Sequence, residues 1–179
     1  MRVGLISDTH GWFDPALPRL FAGCDLIVHA GDVEGQEILH QLSAIAPVEA
    51  VRGNVDHGEH GRGLEPQRIL DVGGVRLLVV HVLGAPARLE APMQELVRQS
   101  RARLVVYGHS HVPAVEYIDG ILYVNPGSAG PRRFKLPRSA GILEISKRVA
   151  RVELFDLEAA VAVAERRLLG EPRVVMFGE

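Results

Sequence analysis

The sequence predicts an α/β fold in which two sheets pack together and are covered by helices. Three observations predict it. Short aliphatic runs alternate with helical spacing over the first 52 residues, the pattern of strands joined by crossover helices. Gly73-Gly74 separates two apolar runs, the signal of a two-residue hairpin. Beyond residue 113, four β segments follow one another with short polar turns, so a β-rich back half succeeds an alternating front half.

Strands are expected at 2–6, 25–29 and 48–52, each an aliphatic run that ends in glycine or polar residues. The first helix is expected to open near Asp14-Pro15, an acidic N-cap with proline at the first helical position, and to close at Gly23. A second, about 34–46, puts Ile38, Leu39, Leu42 and Ile45 on one face and ends at Pro47. The hairpin pairs 67–72 with 75–83; a helix over 89–101 and a strand over 103–107 follow. The last strands fall at 114–118, 121–125, 140–145 and 149–156, with turns at Asp119-Gly120 and Lys147-Arg148. HGEHGRGLEP, residues 57–66, is the one substantial irregular loop.

No repeat, low-complexity tract or linker interrupts the 179 residues, so one domain over 1–179 is expected, with a core of about 1–156. The extension 157–179 is expected to be helical, packing Leu157, Val161, Ala164 and Leu168 on the core, while RVVMF could pair with an exposed strand edge. A dimer contact, and hence a homo-oligomer, is the other reading of that extension. A formal charge of −2 gives no field that favours nucleic acid or membranes. The single cysteine, Cys24, cannot form an internal disulfide. The N-terminus MRVGLISDTH lacks the apolar segment of a signal peptide, and no apolar run reaches the roughly 18 residues that span a bilayer. A cytoplasmic protein is the expectation.

Polar residues stand at the strand ends in order: Asp8-Thr9-His10, Gly31-Asp32, Gly53-Asn54, His81, and Gly108-His109-Ser110-His111. Singly, each block has an ordinary reading as a turn cap, a surface histidine or a core histidine. Jointly they point elsewhere, because ligands of open α/β sheets bind beyond the carboxyl ends of the strands, where blocks distant in sequence converge. Each residue type is a metal ligand, and none supplies a thiolate.

D-x-H, G-D, G-N, an isolated H and G-H-x-H, in this order, resemble the calcineurin-like metallophosphoesterases, and most closely their small single-domain bacterial and archaeal phosphodiesterase branch. That branch also carries N-P-G-S followed by P-R, here Asn125-Pro126-Gly127-Ser128 and Pro131-Arg132. The resemblance covers about residues 1–145. It implies a four-layer αββα sandwich with two divalent metal ions at one edge, manganese being favoured over Ni, Fe, Zn, Co or Mg. It implies a first metal held by Asp8, His10, Asp32 and His111, and a second held by Asp32, Asn54, His81 and His109. Asp32 has two oxygens with which to bridge them.

The activity implied is hydrolysis of a small phosphate ester, a diester in preference to a monoester, by attack of a metal-bridging hydroxide. Asp8, Asp32, Asn54 and His109 are its candidate catalytic residues, and Arg52, Asp56, His57 and Arg132 its candidate substrate contacts. Two departures stand out. Larger members place a general-acid histidine directly after Gly-Asn, where this chain has Val55; His57 or His60 in the loop is the candidate substitute. His81-Val82 replaces the common His-Gly, which alters the pocket wall. His29 is expected as a buried hydrogen-bonding residue and His40 on a solvent face. The retromer's phosphoesterase-like subunit uses the same fold mainly for protein contacts, and this scaffold reading is weakened by retention of all seven ligand positions.

Overall fold

The computed structural model describes residues 1–59, 61–133, 135–147, 149–158 and 173–176. Strand β1 (Arg2–Ile6) is buried on both faces: Val3 and Leu5 enter one apolar cluster, Ile6 another. Such a strand must lie inside a sandwich with helices outside it. It pairs in parallel with β2 (Leu26–His29) and antiparallel with β9 (Ser139–Ser146). β3 (Val48–Ala50) continues the parallel set beyond β2. β10 (Val149–Asp156) pairs with β9, and β11 (Arg173–Met176) closes this six-stranded sheet at its edge. The expected edge pairing is thus found for Arg173–Met176, in Val149↔Met176 through Val152↔Arg173, and Phe177 lies outside the described residues.

The second sheet has the order β4-β5-β6-β8-β7. Its hairpin is β4 (Gln67–Val72) with β5 (Val75–Val80), turning at Gly73-Gly74 as expected. β5, β6 (Leu104–Val106) and β8 (Ile121–Asn125) run parallel, and β7 (Ala114–Ile118) returns antiparallel to β8. Val28, Leu77, Val106, Val124 and Leu143 belong to the cluster between the sheets. A second cluster lies under α1 (Leu17–Leu20) and α2 (Gln36–Ser43), and a third under α3 (Ala91–Ser100). These are the four αββα layers.

Two helices are shorter than expected, for local reasons. Asp14 does not cap the first: Ala16 holds the N-cap position before Leu17, and Asp14 Oδ1 accepts the Ala16 N–H at 2.7 Å in the turn ahead of it. Only one turn follows before Phe21 caps it on the Leu17 carbonyl. α2 starts at Gln36 because Glu34 sits in the left-handed region at φ 53°, which a right-handed helix cannot contain. Val161, Ala164 and Leu168 lie outside the described residues; Leu157 is fully buried in the cluster with α1 and α2. No helix among the described residues is long and apolar enough to cross a membrane.

Candidate metal centre

The parallel strands β1, β2 and β3 end at one edge, and the chain beyond each is tied to its neighbour. Asp8 N–H donates to Gly31 C=O at 3.0 Å, His10 N–H to Asp32 C=O at 3.1 Å and Gly11 N–H to Val33 C=O at 2.9 Å. From the second sheet, Gly108 N–H donates to His81 C=O and His109 N–H to Asp8 Oδ2 at 3.1 Å. The edges of both sheets therefore meet at Asp8. Asp8, His10, Asp32, His109 and His111 all have φ between 48° and 70°. Left-handed backbone is costly for such residues and clusters at functional sites, where surrounding packing holds it.

Two groups of ligand atoms result, each with its atoms within 4.8 Å of one another: Asp8, His10 and His111; and Asp8, Asp32 and His81. In the first, His10 Nδ1 lies 2.6 Å from Glu34 Oε2. A carboxylate only accepts, so Nδ1 carries the hydrogen and Nε2 keeps its lone pair. That nitrogen faces His111 Nε2 at 3.3 Å. His111 Nε2 is in turn 3.1 Å from Asp8 Oδ1, which is buried and has no hydrogen-bond partner. A buried orphan carboxylate oxygen beside two imidazole nitrogens is what a cation would satisfy.

In the second group, His81 Nδ1 donates to the Ala30 carbonyl at 2.8 Å, which leaves Nε2 to face Asp32 Oδ2 at 3.2 Å and Asn54 Oδ1 at 2.8 Å. Asn54 Oδ1 also lies 2.7 Å from His109 Nδ1. All seven expected ligands are thus brought together. Burial pushes the His81 pKa down, but the contacts with Asp32, Asp8 and the Ala30 carbonyl outweigh it and hold the imidazole above 6.5. Burial pushes Asp32 up, yet His81, the Val55 N–H and the neighbouring histidines leave its carboxyl below 3.8. The site demands positive charge. Its oxygen and nitrogen donors fit divalent transition metals, and Asp8 belongs to both groups of neighbouring ligand atoms.

Glycines let these loops touch. A Cβ on Gly53 would lie 2.1 Å from both the backbone nitrogen and Oδ1 of Asp32, and one on Gly108 would lie 1.9 Å from Ser7 Oγ. The Asn-Pro-Gly-Ser block braces the same loops: Asn125 Nδ2 donates to Gly108 C=O at 2.9 Å, and Ser128 Oγ donates to Asp8 C=O at 2.9 Å. Glu34 was not singled out in the sequence, and nothing local marks it, since its role rests on a contact with a residue 24 positions away.

The expected substrate contacts separate. Arg52 is exposed and lines two clefts, one of about 340 Å³ with Asn54 and His81, the other of about 330 Å³ with Gly53, Asp56 and His57. Asp56 is 1% exposed. Its carboxylate accepts the N–H groups of Val33, Glu34 and Gly53, so it binds the loops after β2 and β3 together, a bracing part in place of the expected substrate contact. Arg132 pairs with Glu158 at 3.2 Å on the surface. His57 is exposed, as is His40; His60 lies outside the described residues.

His29 is fully buried, donating from Nε2 to Thr9 Oγ1 at 3.0 Å while Nδ1 accepts the Gly31 N–H at 3.2 Å. Burial lowers its pKa to about 4. The unfolded imidazole takes a proton below 6.5 and the folded one only near 4, so the unfolded state binds more protons in that window and stability falls as pH falls through it. The loss reaches about 3 kcal/mol. Urea unfolding of chelator-treated protein at pH 7 and pH 4 is expected to show this difference, and His29→Gln to remove it. An unchanged slope in the variant would rule the assignment out.

A sequence model of the calcineurin-like phosphoesterase superfamily domain matches residues 1–148. A probable metallophosphoesterase of Methanocaldococcus jannaschii, MJ0623, is 36% identical over 137 residues, covering 72% of this chain and 68% of that protein. Phosphodiesterase YfcE of Escherichia coli K12 is 32% identical over 169 residues, covering 80% and 88%. The structure of Vacuolar Protein Sorting 29 from Cryptosporidium parvum matches with a TM-score of 0.79 at 19% identity, covering 98% of this chain and 97% of that one. That last likeness is one of fold.

Proposed function

The chain belongs to the calcineurin-like phosphoesterase superfamily, and from that premise we propose that it is a phosphodiesterase working with two divalent metal ions, manganese foremost, on a small phosphate ester. The carrying observation is the buried, partnerless Asp8 Oδ1 between two groups of nitrogen and oxygen donors. A bound metal pair would supply an activated water and a clamp on the phosphate oxygens. Asp8, His10, Asp32 and His111 are the proposed holders of one ion; Asp32, Asn54, His81 and His109 those of the other. Glu34 and the Ala30 carbonyl keep the lone pairs of His10 and His81 turned inward.

Asn54 and His109 are exposed at the mouth, where they can meet an equatorial phosphate oxygen as charge develops on it. Arg52, exposed beside them, is the proposed partner of a non-bridging oxygen. His57, which lines the second cleft together with Arg52, is the proposed donor of the leaving group's proton. Among named relatives, the phosphodiesterase YfcE favours the diester reading.

The test is hydrolysis of bis-p-nitrophenyl phosphate beside p-nitrophenyl phosphate by metal-stripped protein, with Mn, Ni, Zn or Mg restored singly. Manganese- or nickel-restored cleavage favouring the diester is expected. Preference for the monoester would make the protein a phosphomonoesterase, and no cleavage of either would leave a protein-binding scaffold as the better account. In the same assay His57→Ala should lose about 10²-fold on an unactivated ester and little on the activated one; equal losses reject its role.

A further inference from the structure

The 340 Å³ cleft that holds Asn54 and His81 has an apolar side made by Val82, Met93 and Leu96. Val82 directly follows a ligand that is 3% exposed, yet is itself 46% exposed. A single exposed valine means nothing. Here, however, it continues a face with two half-buried residues of α3, and that face ends at the second group of metal donors. The cleft is at the lower end of the size range of small-molecule sites.

We propose that Val82, Met93 and Leu96 form a shelf that seats an aromatic ester group of the substrate, so that the preferred substrate is a phosphodiester carrying an aromatic substituent. The inference rests on the phosphodiesterase reading above. A phosphodiester that meets Asn54 and His109 at the mouth carries two ester oxygens. One substituent is led along the shelf, and the other toward the cleft lined by Gly53, Asp56 and His57. Two chemical features select an aromatic ring over an alkyl chain. The Met93 thioether makes favourable contacts with ring edges, and the Arg52 guanidinium, on the same cleft, stacks on ring faces. A glycine after His81 would offer no such surface; the Val82 side chain builds it.

The experiment compares phenyl p-nitrophenyl phosphate with methyl p-nitrophenyl phosphate on the manganese-loaded full chain. Both release the same p-nitrophenolate, so the ratio of their kcat/KM values, compared between wild type and variants, cancels intrinsic reactivity. Covering roughly 60 Å² of ring surface corresponds to about a tenfold preference. Val82→Ser and Met93→Ala are each expected to lower the phenyl-to-methyl ratio about threefold, and the double variant about tenfold. The same ratio in wild type and both variants would overturn the shelf. Calorimetric binding of diphenyl phosphate and dimethyl phosphate separates the two levels of the argument. Should neither diester be cleaved, the phosphodiesterase reading fails, and equal binding of the two phosphates would then overturn the shelf on its own account.

Discussion

Asp8→Asn is expected to abolish metal-restored phosphodiester hydrolysis, by a factor on the order of 10³ or more, while the chain stays folded. Asp8 belongs to both groups of neighbouring ligand atoms, so neutralising it withdraws charge from the whole proposed metal site. Its fully buried side chain has one oxygen already engaged by Ser7 Oγ and the His109 N–H, and the other facing His111 without a hydrogen bond. Asparagine fits that slot: its oxygen can keep the first two contacts, and its amide can donate to His111 Nε2. A buried charge with an unsatisfied oxygen is costly without a cation. The metal-free variant should therefore be at least as stable as the metal-free wild type, the usual opposition of function and stability at a site. Bound manganese per chain and urea unfolding midpoints measure both halves. Wild-type metal content together with a wild-type rate would sink the assignment.

Gly53→Ala is expected to lose about 2–3 kcal/mol of stability and about 10²-fold in rate through displaced ligands. Gly53 does not have a left-handed backbone, so the effect is steric. An added Cβ would fall 2.1 Å from the nitrogen and Oδ1 of Asp32. The Gly53 N–H is also held by Asp56 at 2.8 Å, so the loop cannot swing aside without breaking the brace on both ligand loops. Gly58→Ala is the control. It has nothing within 4 Å of its Cβ and bears only the strain of φ 56°, worth about 1–2 kcal/mol, with no path to the ligands. Denaturant unfolding and manganese titration of the two variants distinguish the cases. Equal metal affinity in Gly53→Ala and wild type would show that the contact does not position Asp32.

Much of this was legible along the chain. Strands such as β7, β8 and β10 fall where runs of β-branched and aliphatic residues meet glycine or charged turns, because a buried strand needs nothing beyond its own side chains and its turn to be recognised. The seven residues that meet at the candidate site were legible for the same reason: each stands at a strand end, where polar residues have no place in the core. Helix lengths were less so. α2 loses its first turn to the backbone of Glu34, and that residue is held left-handed by contacts with His10 and Asp56 that no periodicity reveals.

What remained hidden depends on distance in sequence. Asp56 reads as a loop carboxylate near the substrate and becomes a buried brace only once the loops after β2 and β3 lie on either side of it. Arg132 reads as a phosphate ligand until the chain brings Glu158 beside it. Asp8 lies beside both groups of donor atoms because the two sheets meet at the end of β1, and the angle at which packed sheets bring their edges together follows from the twist of each sheet. The chemistry of the donors and the order of strands and helices were therefore written in residue types and their spacing, since both are local properties of the chain. Which donors face one another, which charges are already paired and which apolar side chains are left beside the site were decided by packing, since those are distances between residues as far as 120 positions apart.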